Sequence, residues 1–251
     1  MAPLLSLTQV TKRRVEGRRA ISVLDSVSLQ VDHGDFVGMW GPKRSGKSTL
    51  LRAMAGMEQP DSGEIRFDGR RLATMSARER ARLLRNDGIA LASSDWRTHV
   101  ARPVVELVAA ACASDGTPMR EARARARKAL ARVEVAECAD ISTGRLTLGE
   151  RLRTSLAMAL VREPRLLLVD EPAVLPSPLE SDDLYRLLRS LGNDRRIALV
   201  IASESLEPLA GARRTMAVSS GEVRSMDQEG VIVPFPDPAS PRAPRVNDVL
   251  S

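Results

Sequence analysis

Gly41-Pro42-Lys43-Arg44-Ser45-Gly46-Lys47-Ser48-Thr49 constrains this chain more than any other stretch. It satisfies G-x-x-x-x-G-K-[ST] and lies between an apolar run, Phe36-Val37-Gly38-Met39-Trp40, and a helix-forming run, Leu50-Leu51-Arg52-Ala53-Met54-Ala55. A strand, a glycine loop and a helix in that order aim consecutive backbone N–H groups and the positive end of a helix dipole at one point, where a polyphosphate is stabilised. There Lys47 would reach the terminal phosphates and the Ser48 hydroxyl would ligate Mg²⁺. The pattern predicts an α/β fold with a nucleoside triphosphate site at 41–49, or descent from a chain that had one.

A second motif supports that reading. Leu166–Val169 is a short apolar run of the kind found in buried parallel strands, and Asp170-Glu171 follows it directly. An Asp at the end of such a strand can hold the Mg²⁺ shell, and the next Glu can orient or deprotonate an attacking water. The long stretch between Lys47 and Asp170 leaves room for an inserted helical subdomain.

The remaining pattern fits around these two motifs. Leu5–Val10 and Val23–Val31 alternate apolar and polar residues as antiparallel strands do, and Asp61-Ser62-Gly63 opens another strand through Gly69. Helices are expected over Ser76–Arg85, with Ser76 and Glu79 as a capping box, over Met119–Val133 and over Leu148–Val161. Ile197–Ile201 reads as a further buried strand. From about Asp227 prolines recur and a flexible tail is expected.

Composition limits the classes. At 251 residues with 43% hydrophobic content the chain can bury a sizeable core. No apolar stretch nears the ~20 residues needed to cross a bilayer, and the start lacks the pattern of an export signal. Cys112 and Cys138 have no metal-ligand spacing and read as buried or incidental thiols in a reducing compartment. The net charge of +6 invites a nucleic-acid reading, but its arginines are dispersed and aromatics are 2%, too few for base-stacking platforms. No nucleic-acid partner is expected.

With these residues on the page the chain resembles ABC-type ATPase subunits from Leu4 to about Arg224. Val27-Ser28-Leu29, Gly41–Leu51, Asp61–Glu64, Asp68-Gly69, Ala159-Leu160-Val161, Pro164 and Leu167–Pro172 all fall where that family has them. The Ser76–Arg85 segment is similar to the lipoprotein-release and macrolide-export type. The resemblance implies a P-loop NTPase core with a mainly parallel sheet, an N-terminal antiparallel β subdomain and an inserted α-helical subdomain. Residues 1–226 would form the nucleotide-binding domain, with helices at about 93–163, and 227–251 the tail. It implies ATP and Mg²⁺, with Glu171 catalytic and Ser48 and Asp170 on the metal. A second ATPase subunit and an integral membrane permease would be the partners, at the cytoplasmic face of the membrane. Leu146-Thr147-Leu148-Gly149-Glu150 would act in trans on the other subunit's nucleotide.

The same resemblance exposes departures. Arg14 stands where an adenine-stacking aromatic is usual, and Lys43-Arg44 replace Ser-Gly in the loop. Position 44 should be left-handed, which costs a non-glycine residue on the order of 1 kcal/mol. Ser94 replaces a glutamine that links metal, water and permease. Leu148 replaces a signature glycine, Ala173–Ser177 lacks its aspartate, and Ser203 replaces the switch histidine. Residues that hold phosphate and metal are kept, whereas those that sense the γ-phosphate across a dimer are changed. Slow or partner-dependent hydrolysis is the expectation. Trp96-Arg97 falls where such subunits dock a permease, although packing explains Trp96 equally well. Three functions stay open: an energising transport subunit, an idle nucleotide-dependent regulator of a membrane or cell-wall complex, and an ABC-fold protein acting on DNA or ribosomes. Length and the absence of a second phosphate loop count against the third.

Overall fold

The computed structural model describes residues 2–17, 19–85, 88–93, 101–113, 117–171, 177–226 and 232–233. The N-terminal alternation folds as an antiparallel pair, β1 (Leu5–Glu16) with β2 (Arg19–Val31). Both strands run past the bounds set by alternation alone. The extension carries Lys12-Arg13-Arg14, which is held by acids from a later segment through the side chains of Lys12 and Arg14 and the backbone of Arg13. Lys12 Nζ lies 3.0 Å from Asp61 Oδ1, the Arg13 N–H donates to Asp61 Oδ2 at 2.7 Å, and Arg14 Nη2 lies 3.2 Å from Glu58 Oε1.

In chain order there follow β3 (Phe36–Trp40), α1 (Lys47–Met54), β4 (Ser62–Phe67), β5 (Arg70–Arg71), α2 (Ala77–Arg85) and β6 (Ile89–Ser93). Next come α3 (Val104–Cys112), α4 (Met119–Arg132), α5 (Leu148–Leu160), β7 (Leu166–Asp170) and α6 (Pro178–Asn193). Then β8 (Ala198–Ser203), β9 (Arg214–Ser219), β10 (Glu222–Met226) and β11 (Ile232–Val233) complete the described elements. One sheet has the order β2-β1-β4-β5 and the other β11-β10-β9-β3-β8-β7-β6. From β9 to β6 the second sheet is parallel, and β10 and β11 close its edge antiparallel. Ile232 and Val233, expected in a flexible tail, instead pair with Met226 and Ser225.

The parallel strands are apolar throughout because both their faces are covered. On β7, Leu167 and Val169 join the core beneath α3–α6, whereas Leu166 and Leu168 join the core shared with α1 and the antiparallel sheet. On β8, Leu199 and Ile201 divide from Ala198, Val200 and Ala202 in the same way. Each fully buried Leu or Val of this kind contributes roughly 1.5–3 kcal/mol, and a one-residue slip would exchange the faces.

The helices follow their patterns. Ser76 caps α2, with Glu79 N–H donating to Ser76 Oγ at 3.2 Å and Ser76 N–H to Glu79 Oε2 at 2.8 Å. In α4 the alanines 122, 126 and 129 and Leu130 are buried, and the outward Arg123, Arg125 and Arg127 pair with Glu106, Glu121 and Asp140. That basic stripe is therefore a solvated face, with these three arginines paired to acids. Inserted between β6 and β7, α3, α4 and α5 form the helical layer. No helix among the described residues is long and apolar enough to cross a membrane.

Candidate functional site

Strand register assembles the site. In the parallel ladder Trp40 lies opposite Ser203, and Asp170 lies opposite Ala202. The C-terminal ends of β3, β8 and β7 therefore finish level, and each releases a motif there. Crevices at the carboxyl ends of such strands are where open α/β sheets bind ligands.

The loop after β3 is tied on both sides. Gly41 N–H donates to the Ser203 carbonyl at 3.2 Å, and Gly221 N–H donates to the Ser45 carbonyl at 3.1 Å. A Cβ on Gly41 would stand 2.1 Å from the Val218 carbonyl oxygen, so no other residue fits. Arg44 has φ 63, the left-handed conformation expected for that position. Gly46, at φ 108, precedes α1 and offers no side chain to accept its first-turn N–H groups. That helix end is left for an external anion.

Lys47 is buried, and its ammonium donates to the Gly41 carbonyl at 2.6 Å and the Pro42 carbonyl at 3.0 Å. It also lies 3.9 Å from Glu171 Oε2. The Ser48 hydroxyl donates to Asp170 Oδ1 at 3.0 Å, and Thr49 is buried behind it. Pro42, Lys43 and Arg44 are exposed at the mouth, and neither cation has an ion pair among the described residues.

Burial pushes the Asp170 carboxyl above its usual range, opposed by the Ser48 hydrogen bond and by the charges of Arg52 and Lys47. Glu171 is raised for the same reason, opposed by the Glu204 N–H and Lys47 and reinforced by the negative charges of Glu204 and Asp170. Glu171 adopts φ 46; its N–H donates to the Ala202 carbonyl at 2.9 Å and its Oε1 accepts the Glu204 N–H at 3.1 Å.

These groups fit a magnesium-bound polyphosphate. Ser48 and Asp170 supply hard oxygen donors, and no cluster of three or more His, Cys, Asp or Glu suited to a metal exists among the described residues. An ion held there completes its shell from water and phosphate, which is the habit of Mg²⁺. Among the described residues the buried Ser45 hydroxyl has no hydrogen-bond partner, which leaves it available to a phosphate oxygen.

The Leu146–Glu150 segment forms the start of α5. Thr147 Oγ1 accepts the Glu150 N–H at 3.3 Å while Glu150 Oε2 accepts the Thr147 N–H at 2.8 Å. That bond to Thr147 N–H holds the Glu150 carboxyl below its ordinary range. Burial and this carboxylate push the Cys138 thiol, which donates to Glu150 Oε1 at 3.4 Å, up to about 12. Gly149 is buried, and Leu148 stands 41% exposed at the helix tip. Among the described residues no hydrogen bond or ion pair joins this segment to 41–49.

Ser203 is buried, and its Oγ accepts the Ser205 N–H at 3.0 Å, so it shapes its own turn. Arg14, at the position where an adenine-stacking aromatic was expected, has its guanidinium on Glu58. Ser94, Trp96, Arg97 and Ala173–Pro176 lie outside the described residues. Two residues escaped the sequence reading: Glu204, whose N–H holds Glu171, and Trp40, whose Nε1 donates to the Glu204 carbonyl at 2.9 Å. An indole at the last strand position before the loop was the available signal, since a partly buried indole N–H needs a partner.

A family model described as ABC transporter matches residues 24–174. The spermidine/putrescine import ATP-binding protein PotA of Pseudomonas aeruginosa is 33% identical over 93% of this chain, and the match spans 62% of that protein's length. The macrolide export ATP-binding/permease protein MacB of Burkholderia pseudomallei is 32% identical over 88% of the chain, which spans 34% of that longer protein. Among solved structures, the ATP-binding cassette MJ0796, in a dimeric post-hydrolysis state bound to ADP and Pi, superposes with a TM-score of 0.81. It covers 90% of this chain and all of that one at 24% identity, a likeness of fold.

Proposed function

This chain belongs to the ABC transporter family, and from that premise we propose that it is an ATP-binding subunit that grips ATP-Mg²⁺ at 41–49, dimerises, and drives or gates an integral membrane permease. The observation that carries the nucleotide reading is the closure of the loop over the acidic pair: Ser48 Oγ on Asp170 at 3.0 Å and Lys47 beside Glu171 at 3.9 Å. Backbone N–H groups of 41–49, the α1 terminus and Lys47 bind and orient the phosphates. Ser48 and Asp170 hold the metal, which when bound neutralises phosphate charge. Glu171, its carboxylate steadied by Glu204 N–H, orients the attacking water and takes its proton. Residues 1–226 constitute the nucleotide-binding domain, and the subunit sits at the cytoplasmic face of the membrane through its permease.

Turnover is slow or depends on a partner. Leu148, in place of a signature glycine, crowds the α5 terminus that would face a second subunit's γ-phosphate, and Ser203, committed to Ser205, replaces a charge-bearing switch. These two features also favour a second reading, an idle regulatory module in which an occupied site holds a dimer closed without pumping. Affinity purification of the tagged chain from detergent-solubilised cells distinguishes them. A co-purifying permease whose transport consumes ATP is the expected result. A permease without coupled turnover selects the regulator, and recovery of nucleic acid instead of membrane protein overturns both.

A further inference from the structure

Trp40 ends β3 directly before Gly41, and its indole N–H crosses to the turn that follows β8. That turn is held at four points. The peptide unit between Ser203 and Glu204 accepts the Gly41 N–H on its oxygen at 3.2 Å and donates its N–H to Glu171 Oε1 at 3.1 Å. The phosphate loop and Glu171 thus grip opposite edges of one planar group, whose geometry is fixed by amide resonance. The next peptide unit, between Glu204 and Ser205, accepts the Trp40 indole N–H at 2.9 Å and donates to Ser203 Oγ at 3.0 Å.

We propose that Trp40 is a positioning residue for Glu171, acting with Ser203 through the Glu204 turn. The proposal rests on the reading of Glu171 as the group that orients water. Glu171 has a long, partly exposed side chain, with a side-chain exposure of 42%. Among the described residues, the polar contacts of its carboxylate are the Glu204 N–H and, at 3.9 Å, the ammonium of Lys47, and the first of these is the hydrogen bond that aims it. A turn anchored by an indole and a buried hydroxyl keeps that N–H aimed. The chain thereby has a link in cis between its phosphate loop and Glu171, made from Trp40 and a short serine. A role for Trp40 in packing alone, on the core beneath α3–α6, would leave Glu171 untouched.

Single-turnover MgATP hydrolysis and MgATP affinity, measured on the full chain, test this in Trp40→Phe, Ser203→Ala, Glu171→Gln and Trp40→Phe/Glu171→Gln. Trp40→Phe and Ser203→Ala should each slow hydrolysis about tenfold, part of the usual contribution of a positioned base, with affinity changed less than about twofold. In the Glu171→Gln background, Trp40→Phe should slow it no further, because both changes act on one group. An unchanged rate in both single variants, or an equal loss with and without Glu171, overturns the proposal. If Trp40→Phe does not fold, Ser203→Ala decides. Should the chain alone show no hydrolysis, as partner-dependent turnover permits, amide hydrogen exchange of Glu204 decides the positioning claim separately, and the reading of Glu171 is tested by the same variants with the partner subunits present. Protection reduced about tenfold or more in Trp40→Phe supports it, and unchanged protection overturns it.

Discussion

Two helices of this protein begin next to a glycine, and their first turns differ in one respect that decides what each can bind. At α1 the cap is Gly46, which has no side chain, and the donors of the first turn are left for a ligand. At α5 the cap is Thr147, and a reciprocal pair of hydrogen bonds with Glu150 satisfies donors from inside the chain. The ionised Glu150 carboxylate lies at the end of the helix where an incoming phosphate would need positive potential, and Leu148 stands exposed beside it. A helix N-terminus is therefore an anion site only when the sequence leaves it unfilled. The first terminus has no side-chain cap, and the second carries its own.

The largest effect should come from the open terminus. Lys47→Ala removes the buried ammonium and should weaken MgATP binding about 100-fold or more, measured by equilibrium binding. Binding within about threefold of wild type would mean that the loop does not grip the phosphates. Leu148→Gly, at the closed terminus, should raise ATP-dependent dimer formation and turnover about tenfold, read by sedimentation and phosphate release. No change in either would place the obstruction elsewhere.

Arg44→Gly separates strain from charge. Relief of the left-handed conformation should stabilise the chain by about 1 kcal/mol, while loss of the cation should weaken MgATP binding severalfold and flatten its salt dependence. Thr147→Ala breaks the capping box and should cost about 1 kcal/mol, or roughly 2–4 °C in melting temperature. Its pH dependence has a definite sign. The Glu150 carboxyl lies below its ordinary value in the folded chain, chiefly through the Thr147 N–H. Its contribution to stability is complete above the ordinary glutamate range and is lost as pH falls through the lowered value. The melting difference between wild type and Glu150→Gln should accordingly be full at pH 7 and narrow in acid.

What could be read from sequence was mostly local. The strand, loop and helix order around 41–49, the Ser76–Glu79 cap and the β7 and β8 runs each depend on spacing over a few residues, and each forms as expected. The Thr147–Glu150 box has the same legible spacing, although its consequence for α5 emerged only once Leu148 was seen exposed beside it. The Trp40–Glu204–Glu171 link was not legible. It depends on the parallel register that sets Trp40 opposite Ser203, a pairing between distant segments that periodicity does not encode. The extension of the N-terminal hairpin escaped for a related reason, since the acids that hold the Lys12 and Arg14 side chains and the Arg13 backbone come from a later segment.

The contrast between the open and closed termini underlies the proposal that this chain binds nucleotide but turns it over slowly. One experiment addresses that directly: MgATP affinity and steady-state hydrolysis measured on the same preparation of the full chain, with Glu171→Gln as control. Tight, Mg²⁺-dependent binding with turnover well below the median enzyme rate of ~10 s⁻¹ is the predicted result. Hydrolysis by the chain alone at about that rate, abolished by Glu171→Gln, would contradict it, as would failure to bind MgATP at all.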